Sequence, residues 1–264
     1  MNTKSFTSKI VTVLMIIIIL QSYLVPLISV ASGPDYIKYT NYVFLYVVIS
    51  YSIIVFSIIF FQADELEVFQ DYFSLLLLIF TCFFRVSLGG QNEIIYRVIL
   101  AGLGLVLVNH LIINRHSIKM PSLKDFTVGV LWSVGTLLLT SLIRVTFDPN
   151  RGALSANLLA HIFSTLAFQL SFVTVIEEAY FRGLLFEFFI MKGVNENKAL
   201  FFQGILFWGM HYAKSSDLVL FLGVIPIITL STTLIIKKYK MLYLSIMVHT
   251  FNNVFSPIVV ALIK

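Results

Sequence analysis

The sequence predicts an all-α fold, a polytopic transmembrane helical bundle of about eight or nine spans, and three observations carry that reading. Of its 264 residues, 59% are hydrophobic and only 12% are charged. An ordinary soluble domain has about 45–50% apolar and about 25% charged residues. Apolar runs long enough to cross a bilayer recur along the chain. Those runs, such as Val11 to Leu20, do not alternate polar with apolar residues as membrane barrel strands do. These features exclude a disordered chain, a nucleic-acid-binding arm and a disulfide-stapled scaffold. The single Cys82 lies in an apolar run, which assigns it to core packing.

A hydrocarbon core about 30 Å thick takes roughly 20 apolar residues per helix. Candidate spans on that criterion lie near 10–31, 42–61, 72–88, 93–113, 127–147, 158–190, 199–213, 218–236 and 241–263. The first has Lys4 and Lys9 ahead of it and Ala31, Ser32 and Gly33 behind it, the outline of a signal peptide. Its apolar stretch is longer than a signal core and is interrupted by Pro26, so it is read as a retained span. The third is the weakest, because its clean apolar stretch runs only from Tyr72 to Phe84 and ends at Arg85. The sixth is overlong and is expected to tilt or to continue past the membrane surface. No internal repeat or low-complexity tract stands out. The chain reads as one continuous membrane domain, with helices of unassigned role in 1–124 and every motif below in 125–264.

Basic residues in short loops set the orientation. With the N-terminus inside, the cytoplasmic segments hold Lys4, Lys9, Arg115, Lys119, Lys124, Lys192, Lys198, Lys237, Lys238 and Lys240. The other side holds Lys38, Arg151, Lys214 and Lys264, with Arg85 at the border. This predicts a multi-pass protein of the cell membrane with a cytoplasmic N-terminus. The acidic loop Asp64, Glu65, Glu67 and Asp71 falls on the inner side and weighs little in this rule.

Ionisable groups inside spans are the informative ones, since each is costly unless paired or hydrated. Most of them crowd toward the C-terminal end, in three short constellations. In Glu177-Glu178-Ala-Tyr-Phe-Arg182, Glu178 and Arg182 stand one helical turn apart and share a face, which predicts an ion pair. Glu177 is about 100° round the helix, a separate carboxylate expected to face a cavity. In Phe207-Trp-Gly-Met-His211 the ring and the imidazole share a face, and Gly209 permits close approach of another helix. In His249-Thr-Phe-Asn-Asn253 the imidazole and the amide project together, while Asn252 points elsewhere and is suited to bonding a neighbouring helix. At about 1.5 Å per residue, Glu177, His211 and His249 lie roughly 20, 18 and 12 Å from the cytoplasmic ends of their helices. They fall in one slab near mid-membrane.

A carboxylate and a neutral imidazole can share one water, with the carboxylate taking its proton. A second imidazole and an amide N–H suit an oxyanion developing on a carbonyl. That is a kit for peptide hydrolysis. A zinc site on Glu177, His211 and His249 is the metal alternative, without an HExxH helix to support it. A serine nucleophile at Ser245, one turn before His249, lacks a glycine-rich elbow. A proton-coupled transporter would show two related halves with interrupted helices. A non-catalytic scaffold would do without Glu177. The remaining groups take structural readings: Arg97 and Arg144 snorkel or pair near span ends, His110 is interfacial, His161 is a hydrogen-bonded core group, and Glu187 reaches water.

The ordered trio EExxxR, FxxxH and HxxxN, on Glu177, Glu178, Arg182, Phe207, His211, His249 and Asn253, resembles the CAAX protease and bacteriocin-processing family of intramembrane endopeptidases. This group, also called the Abi family, includes the type II prenyl endopeptidases, and the resemblance covers roughly residues 125–264. It implies that Glu177 and His211 activate water, that His249 and Asn253 form the oxyanion hole, and that Glu178 and Arg182 support them. It implies glutamate-dependent hydrolysis with no cofactor, zinc remaining the alternative. The partners it implies are the lipid bilayer and a membrane-bound peptide or protein substrate, and no nucleic acid. Prenylated C-termini, peptide precursors, bacteriocin self-immunity and surface proteins are all served by the family. Nothing in the residues selects among them or sets an oligomeric state.

Overall fold

Apolar runs without proline become helices wherever the chain is described, because in lipid only a helix satisfies its own backbone. The structure, a computed structural model, describes residues 36–60, 66–88, 94–115, 117–148 and 157–263, with scattered positions between 12 and 23. Most of the first predicted span, with its signal-peptide outline, lies outside the described residues. The helices are α1 (Tyr36–Phe60), α2 (Tyr72–Leu88), α3 (Ile94–Ile113), α4 (Leu123–Phe147), α5 (Leu158–Met191), α6 (Glu196–Met210), α7 (Val219–Tyr239) and α8 (Leu242–Leu262). No strand forms among the described residues.

Five of these, α3, α4, α5, α7 and α8, are long and apolar enough to cross a membrane, as a multi-pass protein requires. The seventh predicted span, 199–213, is built in two pieces: α6 has 15 residues and stops at Met210. The backbone then tightens into a 3₁₀ turn over His211–Lys214. At about 1.5 Å per residue α6 is roughly 22 Å long, too short to cross alone. The overlong sixth span is one helical run of 34 residues, interrupted by π-helical turns at Gln169–Val173 and Ala179–Leu185. Between them stands a five-residue α segment, Thr174–Glu178, which carries both glutamates. Each π turn rotates the side chains that follow, a local device found often at functional sites.

Helix α4 begins with a reciprocal cap: Ser122 Oγ accepts from Asp125 N at 3.2 Å, and Asp125 Oδ2 accepts from Ser122 N at 2.8 Å. Helices α4 and α8 run parallel. Near their starts, a Cβ on Gly129 would stand 2.9 Å from both Leu244 and Met247, so the glycine admits α8 to close range. Deeper in, Thr140 Oγ1 donates to Asn252 Oδ1 at 2.5 Å, the neighbouring-helix bond foreseen for Asn252.

The segments read as cytoplasmic converge on one end of the bundle. Lys119 N donates to Gln70 O at 2.7 Å, and Tyr243 N to Ser74 Oγ at 2.7 Å. Lys237 Nζ donates to Asn197 Oδ1 at 2.7 Å, and Lys240 pairs with Glu196. Glu67 faces Lys119 at 3.4 Å, so the acidic loop joins the lysine-rich end. Here Asp71 is buried and accepts from Ser74 N at 2.7 Å and from the Ser74 hydroxyl. Burial pushes its carboxyl up to about 6, against the pull of those donors.

One cluster of buried apolar side chains joins Tyr51, Ile54 and Leu78 to Ile176, Phe181 and Phe207, so the N-terminal helices and the motif-bearing ones share a core. Phe69 wedges against α5 where Gly183 has no side chain; a Cβ there would lie 2.3 Å from the ring. Cys82 is fully buried, in keeping with its core assignment. Two structural readings are corrected. His161 is exposed rather than a core group, because it sits in the first turn of α5 at the bundle's end. Glu187 does not reach water: it is buried and takes the Val68 backbone N–H.

Candidate active site

Adjacent residues on a helix point about 100° apart, and this separates Glu177 from Glu178. The Glu178 side chain is wholly buried, whereas that of Glu177 is 15% exposed and lines a cavity of about 280 Å³.

Glu178 is a hub of charge. Its Oε2 lies 3.3 Å from Arg182 Nε, the ion pair expected one turn away, and also takes the Ser245 hydroxyl. Its Oε1 stands 2.7 Å from His249 Nδ1. Arg182 in turn donates from Nη2 to Thr232 Oγ1 at 2.7 Å and lies 3.8 Å above the centre of the Phe207 ring. Two charges this deep persist because each is matched by the other and by hydrogen bonds. Ser245 therefore serves Glu178, and it is absent from the cavity wall.

Glu177 meets two imidazoles. Its Oε2 is 4.0 Å from His211 Nε2 and 3.9 Å from His249 Nε2. Both separations exceed a direct hydrogen bond and suit groups that share a third partner. His211 Nδ1 lies 2.9 Å from the Phe207 carbonyl oxygen. A carbonyl only accepts, so Nδ1 carries the proton and Nε2 faces the carboxylate with its lone pair. His249 likewise gives its Nδ1–H to Glu178, which turns its Nε2 toward the cavity. Phe207 holds both rings, with centroids 4.7 Å from His211 and 5.7 Å from His249. Gly209 makes room beside them: Tyr23 of the first span lies 2.7 Å from where its Cβ would be, and donates to the Leu206 carbonyl.

Asn253 reaches the same cavity, one turn beyond His249, and its Nδ2 donates to Gln169 Oε1 at 3.0 Å. Thr174 and Thr250 hydroxyls meet at 2.7 Å and tie the glutamate segment to α8. The structure thus brings all three constellations together around one cavity. Arg144 pairs with Asp148 at 3.5 Å near its span end, as read, and also lines the cavity. Among the described residues, no three His, Cys, Asp or Glu side chains are grouped as a metal-ligand set.

Sequence reasoning missed Gln169. Its signal was present, since Gln169, Val173 and Glu177 recur every fourth residue and a polar side chain on that face of an apolar span is costly. Thr232, the partner of Arg182, had no such signal.

Residues 160–255 match the family model described as Type II CAAX prenyl endopeptidase Rce1-like. The matched stretch contains Glu177, Glu178, Arg182, Phe207, His211, His249 and Asn253. No curated protein and no solved structure matches the chain.

Proposed function

We propose that this chain, whose residues 160–255 match the Type II CAAX prenyl endopeptidase Rce1-like family model, is an intramembrane endopeptidase acting on a membrane-associated or lipidated peptide or protein. The observation that carries the reading is the contrast at the glutamate pair. Glu178 is enclosed by Arg182, Ser245 and His249, while Glu177 faces two imidazole nitrogens about 4 Å away across a cavity.

In the reaction, a water bonded to Glu177 Oε2 and His211 Nε2 gives a proton to Glu177 as its oxygen bonds to the scissile carbonyl carbon. The carbonyl π electrons move onto oxygen, and that oxyanion accepts from His249 Nε2–H and Asn253 Nδ2–H. His249 donates at Nε2 as the imidazolium while the Glu178 carboxylate accepts its Nδ1–H at 2.7 Å. When the oxyanion collapses the C–N bond breaks, and Glu177 passes its proton to the leaving amine. Arg182 holds Glu178, and Gln169 holds the Asn253 amide. The reading includes eight or nine spans, a cytoplasmic N-terminus and hydrolysis without a resident metal.

The test compares wild type with Glu177→Gln, matched for folding in detergent, on membrane-anchored and lipidated reporter peptides with and without a chelator. Cleavage by wild type alone, indifferent to chelation, is expected. Loss on chelation restored by zinc would recast Glu177, His211 and His249 as ligands. If Glu177→Gln fully rescues a deletion strain, the proteolytic reading gives way to a scaffold of the same fold.

A further inference from the structure

The cavity is not centred in the bundle. From Glu177 and His249 it runs toward one end, past Arg144 near the close of α4, Leu220 at the start of α7, and Ser256 and Pro257 in the last third of α8. His211, where α6 stops, stands on the same side. In the opposite direction the packing is closed. Glu178 and Arg182 have no exposed surface, and Phe186, Ile236, Leu242 and Ile246 beneath them are buried in the core. A peptide arriving from that end would have to part the Glu178–Arg182 pair and the layer below it.

The closed end is the lysine-rich one. Lys119, Lys124, Lys192, Lys198, Lys237, Lys238 and Lys240 flank the helix ends gathered there by the Ser74–Tyr243, Gln70–Lys119 and Asn197–Lys237 bonds. Short basic segments of this kind stay cytoplasmic. Closed packing tells which end is shut, and lysine placement tells which side of the membrane that end faces.

We infer that the cavity opens to the extracytoplasmic face, so that the substrate is a peptide segment exposed at the outer surface next to a membrane anchor. The substrate part rests on the proteolytic reading above; the direction of opening does not. An inner-leaflet substrate, such as the C-terminus of a lipidated cytoplasmic protein, would meet the sealed end.

The test uses the full chain in intact cells. Cys82 is fully buried, so a charged, membrane-impermeant thiol reagent leaves wild type nearly silent. Single cysteines are placed at exposed Lys198 and Ser215 as markers of the two ends, and at Leu220 and Val173 in the cavity wall. Ser215→Cys, Leu220→Cys and Val173→Cys are expected to react from outside at least about tenfold faster than Lys198→Cys, which reacts after permeabilisation. Outside labelling of Lys198→Cys with Ser215→Cys silent overturns the proposal. So does a reactive Ser215→Cys with both cavity cysteines silent; Val173→Cys keeps this arm decisive if Leu220→Cys does not fold.

A second arm offers two anchored reporters with the same cleavable segment on the outer or the inner side. Cleavage of the outer reporter alone is expected, and cleavage of the inner one overturns the substrate assignment. A chain labelled from outside that cuts neither reporter refutes the proteolytic reading and upholds the outward opening.

Discussion

The surroundings of Glu178 and those of Glu177 are built from neighbouring residues of one helix, yet they do opposite things with a carboxylate. Around Glu178 every direction holds a partner: Arg182, His249 and Ser245 close on it, and water is shut out. Around Glu177 the partners stand back, with imidazole nitrogens at 4.0 and 3.9 Å and a cavity between. The difference teaches that a buried carboxylate in a membrane is not functional merely by being there. Enclosed by direct partners, it organises the core and holds a histidine; facing a cavity, it can exchange a proton.

The comparison can be broken most severely at the reactive member. Glu177→Gln keeps the shape and removes the base, so peptide cleavage should fall by roughly 10⁴-fold while the unfolding temperature in detergent stays within a degree or two. If stability falls instead, the two carboxylates are not different in kind. Glu178→Gln should differ from that pattern by lowering stability together with activity. It leaves Arg182 buried with its charge unmatched, at a cost of about 3–5 kcal/mol seen as a lower unfolding midpoint. Adding Arg182→Met should recover much of that stability, since apolar replacement of a buried pair is often neutral, but not activity, because His249 has lost its holder.

A third buried carboxylate sharpens the rule. Asp71 is enclosed by hydrogen-bond donors, and burial lifts its carboxyl from 3.8 to about 6. A raised acid stabilises the fold fully below its unfolded value and loses that contribution as pH rises through its folded value. A shift of this size corresponds to about 3 kcal/mol at most. The unfolding midpoint should therefore decline between about pH 4 and pH 6 in wild type, and Asp71→Asn should flatten that decline. The smallest effect belongs to Gln169. Gln169→Leu frees the Asn253 amide to turn, and should lower kcat about tenfold with little change in KM or stability, as expected for a group acting through another. An unchanged kcat would remove Gln169 from the site.

Much of this architecture was legible beforehand, for identifiable reasons. Spans such as 93–113 and 158–190 are regions where apolar length leaves the backbone no alternative to a helix. The Glu178–Arg182 pair was legible because both residues lie on one helix at one-turn spacing. The true end of α6 at His211 was not, since apolar residues continue across it and only the turn geometry stops the helix. The burial of Glu187 was missed because its partner, the Val68 backbone, comes from a distant loop.

The sequence by itself determined that this is a helical membrane protein, where most of its helices lie, and which residues share a face. Those properties depend on composition and on spacings of three or four residues, so they are local. The tertiary structure alone decided which glutamate faces the cavity and which is enclosed, that Gln169 holds Asn253, and that the packing is sealed on the lysine-rich side. Those properties rest on contacts between residues far apart in the chain, such as Glu178 with Ser245, 67 positions on, and Thr140 with Asn252, 112 positions on. A carboxylate takes its role from the groups around it, and only the assembled bundle supplies them.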